Sequence, residues 1–299
     1  MKKQVFSASI TPLTTDGALD KKGISNILER NIRHGIDGVF ILGSMGEWSS
    51  FDSVFKEDFI KECASVIRNR IKLLVGINAT SLPLSLKNME QYSKYSFDSY
   101  VFMLPGRTSR LNPVKSILNI LDASDRSVYY YHCPPNNGIT LSLDDFAAIM
   151  KHPRLMGIKN SASDVWLRRE LICLREKLGT GTLLLEGQEW AVDEGMVVGY
   201  DGMICGIGAL GSKIMVGIAR AVDAGNIAEA IRLQNVLISL FHEIYGCDLA
   251  NVWTGQKYAL MKLGLIESSR TLVQEMDSLT DIVKRRIEKC LDQMRMELD

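Results

Sequence analysis

The sequence predicts an α/β fold, a (β/α)8 TIM barrel with a C-terminal helical extension, and three observations carry that prediction. Short β-branched or aromatic runs recur along the chain, each followed by an amphipathic segment of helix length, and eight such pairs can be counted. The connections are short and no linker interrupts them, so the pairs close one parallel barrel instead of two domains. After about residue 225 the strand-like runs stop and helical spacing continues to the end. The expected division is therefore 1–225 for the barrel and 226–299 for the extension.

In chain order the strand candidates are VFSASI (5–10), GVFILG (38–43), KLLVGI (72–77), SYVFML (99–104), SVYYYH (127–132), LMGIKN (155–160), TLLLEG (182–187) and GMICGI (202–207). Helix starts are signed between them. Asn112 followed by Pro113 is an N-cap with proline at the first helical position, and Ser142 with Asp145 three residues later resembles a capping box. In the extension, Ala230, Leu233, Leu237, Phe241 and Ile244 fall on one helix face, as do Val283, Ile287, Cys290 and Met294. These stripes predict packing or subunit contact, not catalysis.

Composition narrows the partners. Of 299 residues, 46% are apolar and 23% charged, and 35 basic residues balance 35 acidic ones. Without a basic excess there is no electrostatic footprint for nucleic acid. The opening MKKQVFSASI has no apolar h-region and no run is long enough to span a bilayer, so no membrane partner and a cytoplasmic setting are expected. The six cysteines, at 63, 133, 173, 205, 247 and 290, include no CxxC pair, and no HExxH or Walker motif occurs. No metal and no cofactor are expected.

In a barrel of this kind the working groups sit at the C-terminal ends of strands. In LMGIKNSASD, Lys159 interrupts a strand that otherwise reads as buried. Alternation puts Leu155, Gly157 and Lys159 on one face, and Gly157 is expected to leave space beneath the lysine. Apolar surroundings disfavour ammonium, and the neutral amine attacks carbonyl carbon, so Schiff-base chemistry follows. The alternative is a structural lysine held by a carboxylate such as Glu186 or Glu47. In LGSMGEWSSF, Gly43 and Gly46 let the Ser44 and Met45 amides point at one spot suited to a carboxylate or phosphate, though a tight turn needs no ligand. YYYHCPPNNG ends the fifth strand with Tyr131 nearest the loop, a phenol placed to carry protons. Tyr129 and Tyr130 read as core residues with satisfied hydroxyls. GIGALG (206–211) matches GxGxxG, but no later parallel strand completes a dinucleotide unit, and a barrel anion site is the better reading. Of the four histidines only His132 lies at a strand end.

Together these residues resemble the dihydrodipicolinate synthase and N-acetylneuraminate lyase family of class I, pyruvate-dependent aldolases. The resemblance covers essentially the whole chain, through ITPLTTDGALD, GSMGE for the family's Gly-x-x-Gly-Glu turn, YYHCP for its Tyr-x-x-Pro, GIKNSASD for its Gly-x-Lys segment, and the helical tail. It implies that Lys159 condenses with the keto carbon of pyruvate or of a 2-keto acid product. By the same resemblance Tyr131 shuttles protons, Ser44 links to that tyrosine, the Ser44 and Met45 amides hold the carboxylate, and the Ile204 carbonyl lines the pyruvate pocket. Gly43, Ser161, Gly187, Glu189, Asn136 and Arg107 complete the expected substrate contacts.

Four departures shape the expectation. Met45 replaces the family's usual second hydroxyl residue, and Gly106 and Arg107 stand where a tyrosine is commonly donated across a subunit interface. Asn136 replaces the synthase's arginine, which argues against dihydrodipicolinate synthesis; Glu189 and Trp190 replace the sialate lyase's acidic pair, which argues against sialic acid. The expected activity is a Schiff-base lyase or aldolase that cleaves or forms a 2-keto acid from pyruvate and an aldehyde, such as a 2-keto-3-deoxy sugar acid. The alternatives are a Schiff-base dehydratase or decarboxylase, or a non-catalytic keto-acid-binding member. Arg107 or Arg110 would favour an acidic acceptor. A homo-oligomer, tetramer or dimer, is the assembly the resemblance suggests.

Overall fold

The computed structural model of the chain describes residues 2–106 and 112–299. Eight parallel strands close a barrel in sequence order: β1 (Gln4–Ala8), β2 (Gly38–Ile41), β3 (Lys72–Gly76), β4 (Ser99–Phe102), β5 (Ser127–His132), β6 (Leu155–Asn160), β7 (Leu183–Glu186) and β8 (Gly202–Cys205). The helices that follow them are α1 (Lys21–His34), α2 (Ser53–Ile67), α3 (Leu82–Tyr92), α4 (Pro113–Ala123), the short α5 (Pro134–Asn137) with α6 (Leu143–Met150), α7 (Val165–Leu178), α8 (Val192–Val198) and α9 (Gly208–Asp223). Beyond them lie α10 (Ile227–Tyr245), α11 (Val252–Lys262), α12 (Asp281–Gln293) and α13 (Arg295–Leu298).

Six strands end one or two residues before the sequence suggests. The ladder there becomes one-sided: Ser9, Ile77 and Gly187 still donate to Phe40, Val101 and Asn160 at 2.9, 3.0 and 2.9 Å while their chains turn into the loops of the barrel mouth. The helix starts lie where the capping residues place them. Asn112 accepts from the Lys115 amide at 2.9 Å, and Ser142 and Asp145 make both bonds of a capping box, at 3.2 and 2.8 Å.

Two apolar layers follow from strands buried on both faces. The larger fills the space between sheet and helices. The smaller fills the barrel interior with Phe6, Phe40, Val101, Tyr129, Tyr131 and Leu185 among others. The expected face of β6 needs one correction. Val128 pairs with Leu155 but Tyr129 pairs with Gly157, so the register steps over Met156, which is 38% exposed. Past that irregularity Leu155 belongs to the outer layer and only Gly157 and Lys159 share the inner line. The space at Gly157 is also filled, since a Cβ there would lie 2.9 Å from the Tyr129 ring and 2.9 Å from the Leu183 carbonyl oxygen.

On α10 the stripe residues Ala230, Leu237, Phe241 and Ile244 are buried and Leu233 is partly so; on α12 Ile287 and Cys290 are buried and Val283 partly so, while Met294 lies just past the helix end, also partly buried. Helix α11 differs, for it buries Thr254, Gln256 and Lys257. Among the described residues no helix is long and apolar enough to cross a membrane.

Candidate active site

Lys159 lies on β6 one residue from its end, in register with Tyr131 on β5 and Leu185 on β7. It is 5% exposed. Its Nζ stands 4.1 Å from the centre of the Tyr131 ring and 5.8 Å from that of Phe40, so one side of the amine is aromatic. Burial lowers its pKa, opposed chiefly by the charge of Glu189. Neither carboxylate that the sequence offers as a holder is bound to it. Glu47 is bonded to the Lys257 ammonium, and Glu186 pairs with Arg168 at 3.0 Å. The two carboxylates named as examples for a structural lysine are thus engaged elsewhere.

Tyr131 is buried beside this amine, and desolvation raises its pKa well above the usual phenol value, with Cys133 adding and Ser161 opposing. It is a protonated phenol at neutral pH. The buried Ser161 Oγ makes no well-formed hydrogen bond. Gly187 explains how these groups fit together: a Cβ there would fall 2.0 Å from Ser161 Oγ and 2.9 Å from Lys159 Cε. Only glycine lets the end of β7 approach so closely. The Ser44 hydroxyl does not bond Tyr131 as the resemblance implies; it accepts from Asn136 Nδ2 at 3.3 Å.

Two turns at the barrel mouth carry amides suited to an anion, and they are in different states. After β2, Gly43 lies against the Phe40 ring, where a Cβ would be 2.6 Å away. Thr11 Oγ1 holds the Gly46 carbonyl at 2.7 Å, and no described residue accepts from the Ser44 or Met45 amides. After β8, the Gly206 and Ile207 amides both donate to Glu189 Oε1, the second at 3.2 Å. The acceptor in the GIGALG turn is thus the chain's own Glu189 carboxyl, which fills the anion site read from the sequence. Burial raises the pKa of Glu189, opposed by its backbone hydrogen bonds and by Lys159. Met45 bridges the two turns, its side chain lying where a Cβ on Gly206 would fall, 2.8 Å from Cγ.

Of the other expected residues, Ile204 faces the barrel interior from β8. Arg107 and Arg110 lie outside the described residues. His132 faces outward, its ring 5.1 Å from that of Phe146 and its pKa lowered by burial to about 4. Tyr130 is buried as expected, but its hydroxyl has no partner among the described residues. No group of three or more metal-binding side chains is assembled among the described residues.

Comparison with known proteins gives this geometry a family. The sequence model of the dihydrodipicolinate synthetase family matches residues 1–294. The chain belongs to the dihydrodipicolinate synthetase family. By that membership it is a carbon–carbon lyase of the Schiff-base aldolase type. A probable 2-dehydro-3-deoxy-D-pentonate aldolase of Escherichia coli K12 is 26% identical over 272 residues, 89% of each chain. The N-acetylneuraminate lyase of Pasteurella multocida is 24% identical over 251 residues, 81% of this chain and 82% of that one. The fold matches the Thermotoga maritima dihydrodipicolinate synthase at a TM-score of 0.89 and 19% identity, over 99% of both chains. The Acinetobacter baumannii enzyme, whose structure was obtained with pyruvate, matches at 0.87 and 23%, over 98% of both.

Sequence reasoning missed four residues around the site of this family member. Phe40 flanks Lys159 but reads in the sequence as one more strand aromatic. Trp253, Gln256 and Lys257 come from α11, where Trp253 Nε1 donates to the Ser44 carbonyl at 3.2 Å and Gln256 Nε2 to the Gly206 carbonyl at 3.0 Å. The available signal was the segment VWTGQKYAL, in which a lysine and a glutamine interrupt a run otherwise fit for burial.

Proposed function

We propose that this lyase works through an imine between Lys159 and the keto carbon of pyruvate or of a 2-keto acid, and that its substrate is a 2-keto-3-deoxy sugar acid. The observation that carries the reading is an amine kept from water without a bonded carboxylate, 4.1 Å from the ring of a protonated phenol. The neutral amine adds to the C2 carbonyl, and the Tyr131 phenol protonates the hydroxyl that leaves the carbinolamine as water. In the iminium that results, a base removes the C4 hydroxyl proton and the C3–C4 bond breaks. Its electron pair moves to nitrogen as the enamine forms, and the aldehyde departs. Protonation at C3 and hydrolysis return pyruvate and the free amine. The Ser44 and Met45 amides seat the substrate carboxylate, a role supported by their lack of an acceptor among the described residues.

The sugar-acid reading is supported by the acceptor side of the mouth. A cavity of about 230 Å³ there is lined by Asn78, Thr80 and Asn136 with Trp48 and Met103, and the buried Asn78 Nδ2 has no partner among the described residues. Amides and a hydroxyl suit a polyhydroxylated aldehyde. The relative that cleaves a 2-dehydro-3-deoxy-pentonate, by its name, points the same way. The test is a screen of 2-keto-3-deoxy sugar acids for pyruvate release. Release from at least one acid is expected; an anhydro product without pyruvate would move the reading to a dehydratase, and no turnover at all would overturn it.

The same proposal extends to assembly as a homo-oligomer, dimer or tetramer. It is supported by apolar surface at the start of α7, where Val165 and Trp166 are 65% and 73% exposed. Light scattering at micromolar concentration is the check, and a monomer would overturn it.

A further inference from the structure

We infer that α11, a helix of the extension, aims the backbone donors of the active site, with Trp253, Gln256 and Lys257 as positioning residues. The inference rests on the reading of the Ser44 and Met45 amides as the carboxylate seat. Positions 253, 256 and 257 share one helix face, and that face is spent on polar groups of the two turns beside Lys159.

Trp253 Nε1 donates to the Ser44 carbonyl at 3.2 Å, and the Glu47 amide donates to the same oxygen at 3.1 Å. A trans peptide is planar, with its C=O and N–H pointing in opposite directions. Two donors on the Ser44 oxygen therefore fix the direction of the Met45 N–H across the same plane, away from α11. Gln256, wholly buried, acts alike on the second turn. Its Nε2 donates to the Gly206 carbonyl at 3.0 Å, and the N–H at the other end of that plane is Ile207's, which donates to Glu189. Lys257 anchors the turn that Trp253 orients. Its ammonium bonds the Glu47 carboxylate and the Arg270 carbonyl, the latter at 2.8 Å, and Glu47 Oε2 accepts from Thr271 Oγ1 and the Leu272 amide at 2.8 and 2.7 Å. Glu47 sits two residues past Met45 in the left-handed region, φ 55°. An extension that merely packed would present apolar side chains here. This one presents three hydrogen-bond donors, each to the peptide plane or the side chain that fixes a turn.

The experiment compares two ketones, one with a carboxylate and one without. Wild type and Trp253→Phe are titrated with pyruvate and, separately, with acetone in the presence of borohydride, and the lysine adduct is counted by intact mass. The variant keeps a buried ring and loses the N–H donor. We expect the pyruvate concentration for half-maximal labelling to rise about tenfold, the order of one lost hydrogen bond, while acetone labelling stays as in wild type. Equal effects on both ketones would reduce α11 to packing, and no effect on either would overturn the inference. A wild type labelled by neither ketone would instead bring down the imine reading and this one with it. Gln256→Leu is the second variant: by loosening Glu189 beside Lys159 it should move the pH midpoint of labelling down for both ketones alike, and an unmoved midpoint would remove Gln256 from the inference.

Discussion

Lys159 and Lys257 are both buried, one on the inner face of the barrel wall and one on a helix that covers its mouth, and they differ in what stands opposite the nitrogen. Lys257 has the Glu47 carboxylate and a carbonyl within bonding distance. Lys159 has aromatic rings and a carboxylate that is already committed to two amides. Burial lowers the pKa of both amines, but the charge on Lys257 is repaid by a bonded partner and the charge on Lys159 is not. Depth alone therefore does not distinguish the lysine proposed to form the imine from the one that holds a turn. The partner does.

The most severe way to break this contrast is chemical. Borohydride with pyruvate is expected to attach one adduct, at Lys159, and Lys159→Ala to abolish labelling while the fold survives; a label on Lys257 in peptide mapping would reverse the assignment. Next in size is stability. Lys257→Met strands a buried Glu47 carboxylate and is expected to cost about 3–5 kcal/mol in denaturant unfolding. The pair Glu47→Gln with Lys257→Met should recover most of that loss. Lys159→Met, which removes an unpaired amine, should be neutral or stabilising by about 1 kcal/mol. Equal losses in the two methionine variants would erase the distinction.

Smaller effects sharpen the contrast. Gly187→Ala drives a methyl into Ser161 Oγ and Lys159 Cε, a strain of about 1–3 kcal/mol, and should slow adduct formation. Ser161→Ala in the same chain should restore part of the rate by removing the closer contact. The last prediction concerns pH. Because burial lowers the Lys159 pKa, the labelling rate should climb with pH and level off at a lower pH than an exposed lysine would require. Glu189 raises that pKa, so Glu189→Gln should move the midpoint further down; a midpoint that moves up would place Lys159 under a different neighbour's control.

How much of this was legible follows from where the information lies. The barrel is written in local patterns, so the strand and helix order can be read from periodicity, and even the caps at Asn112 and Ser142 match their side-chain chemistry. Lys159 and Tyr131 are legible because strand ends are local too. What the sequence did not show is set by long-range contact. Nothing near Glu189 in the chain says that it bonds Gly206 and Ile207, and nothing near Ser44 says that Trp253, 209 positions away, orients its carbonyl. The stepped register at Met156 is equally silent, because a bulge leaves no mark on alternation until the partner strand is in place.

The carboxylate of Glu189 has one further consequence, for the shape of the metabolite. Many barrels grip a phosphoryl group with the amides that follow their last strand. Here those amides are already taken from within, so a phosphorylated sugar acid would find no free donors at the place where its handle should dock. On the proposed sugar-acid reading, the expected substrate is therefore the free acid and not its phosphate ester.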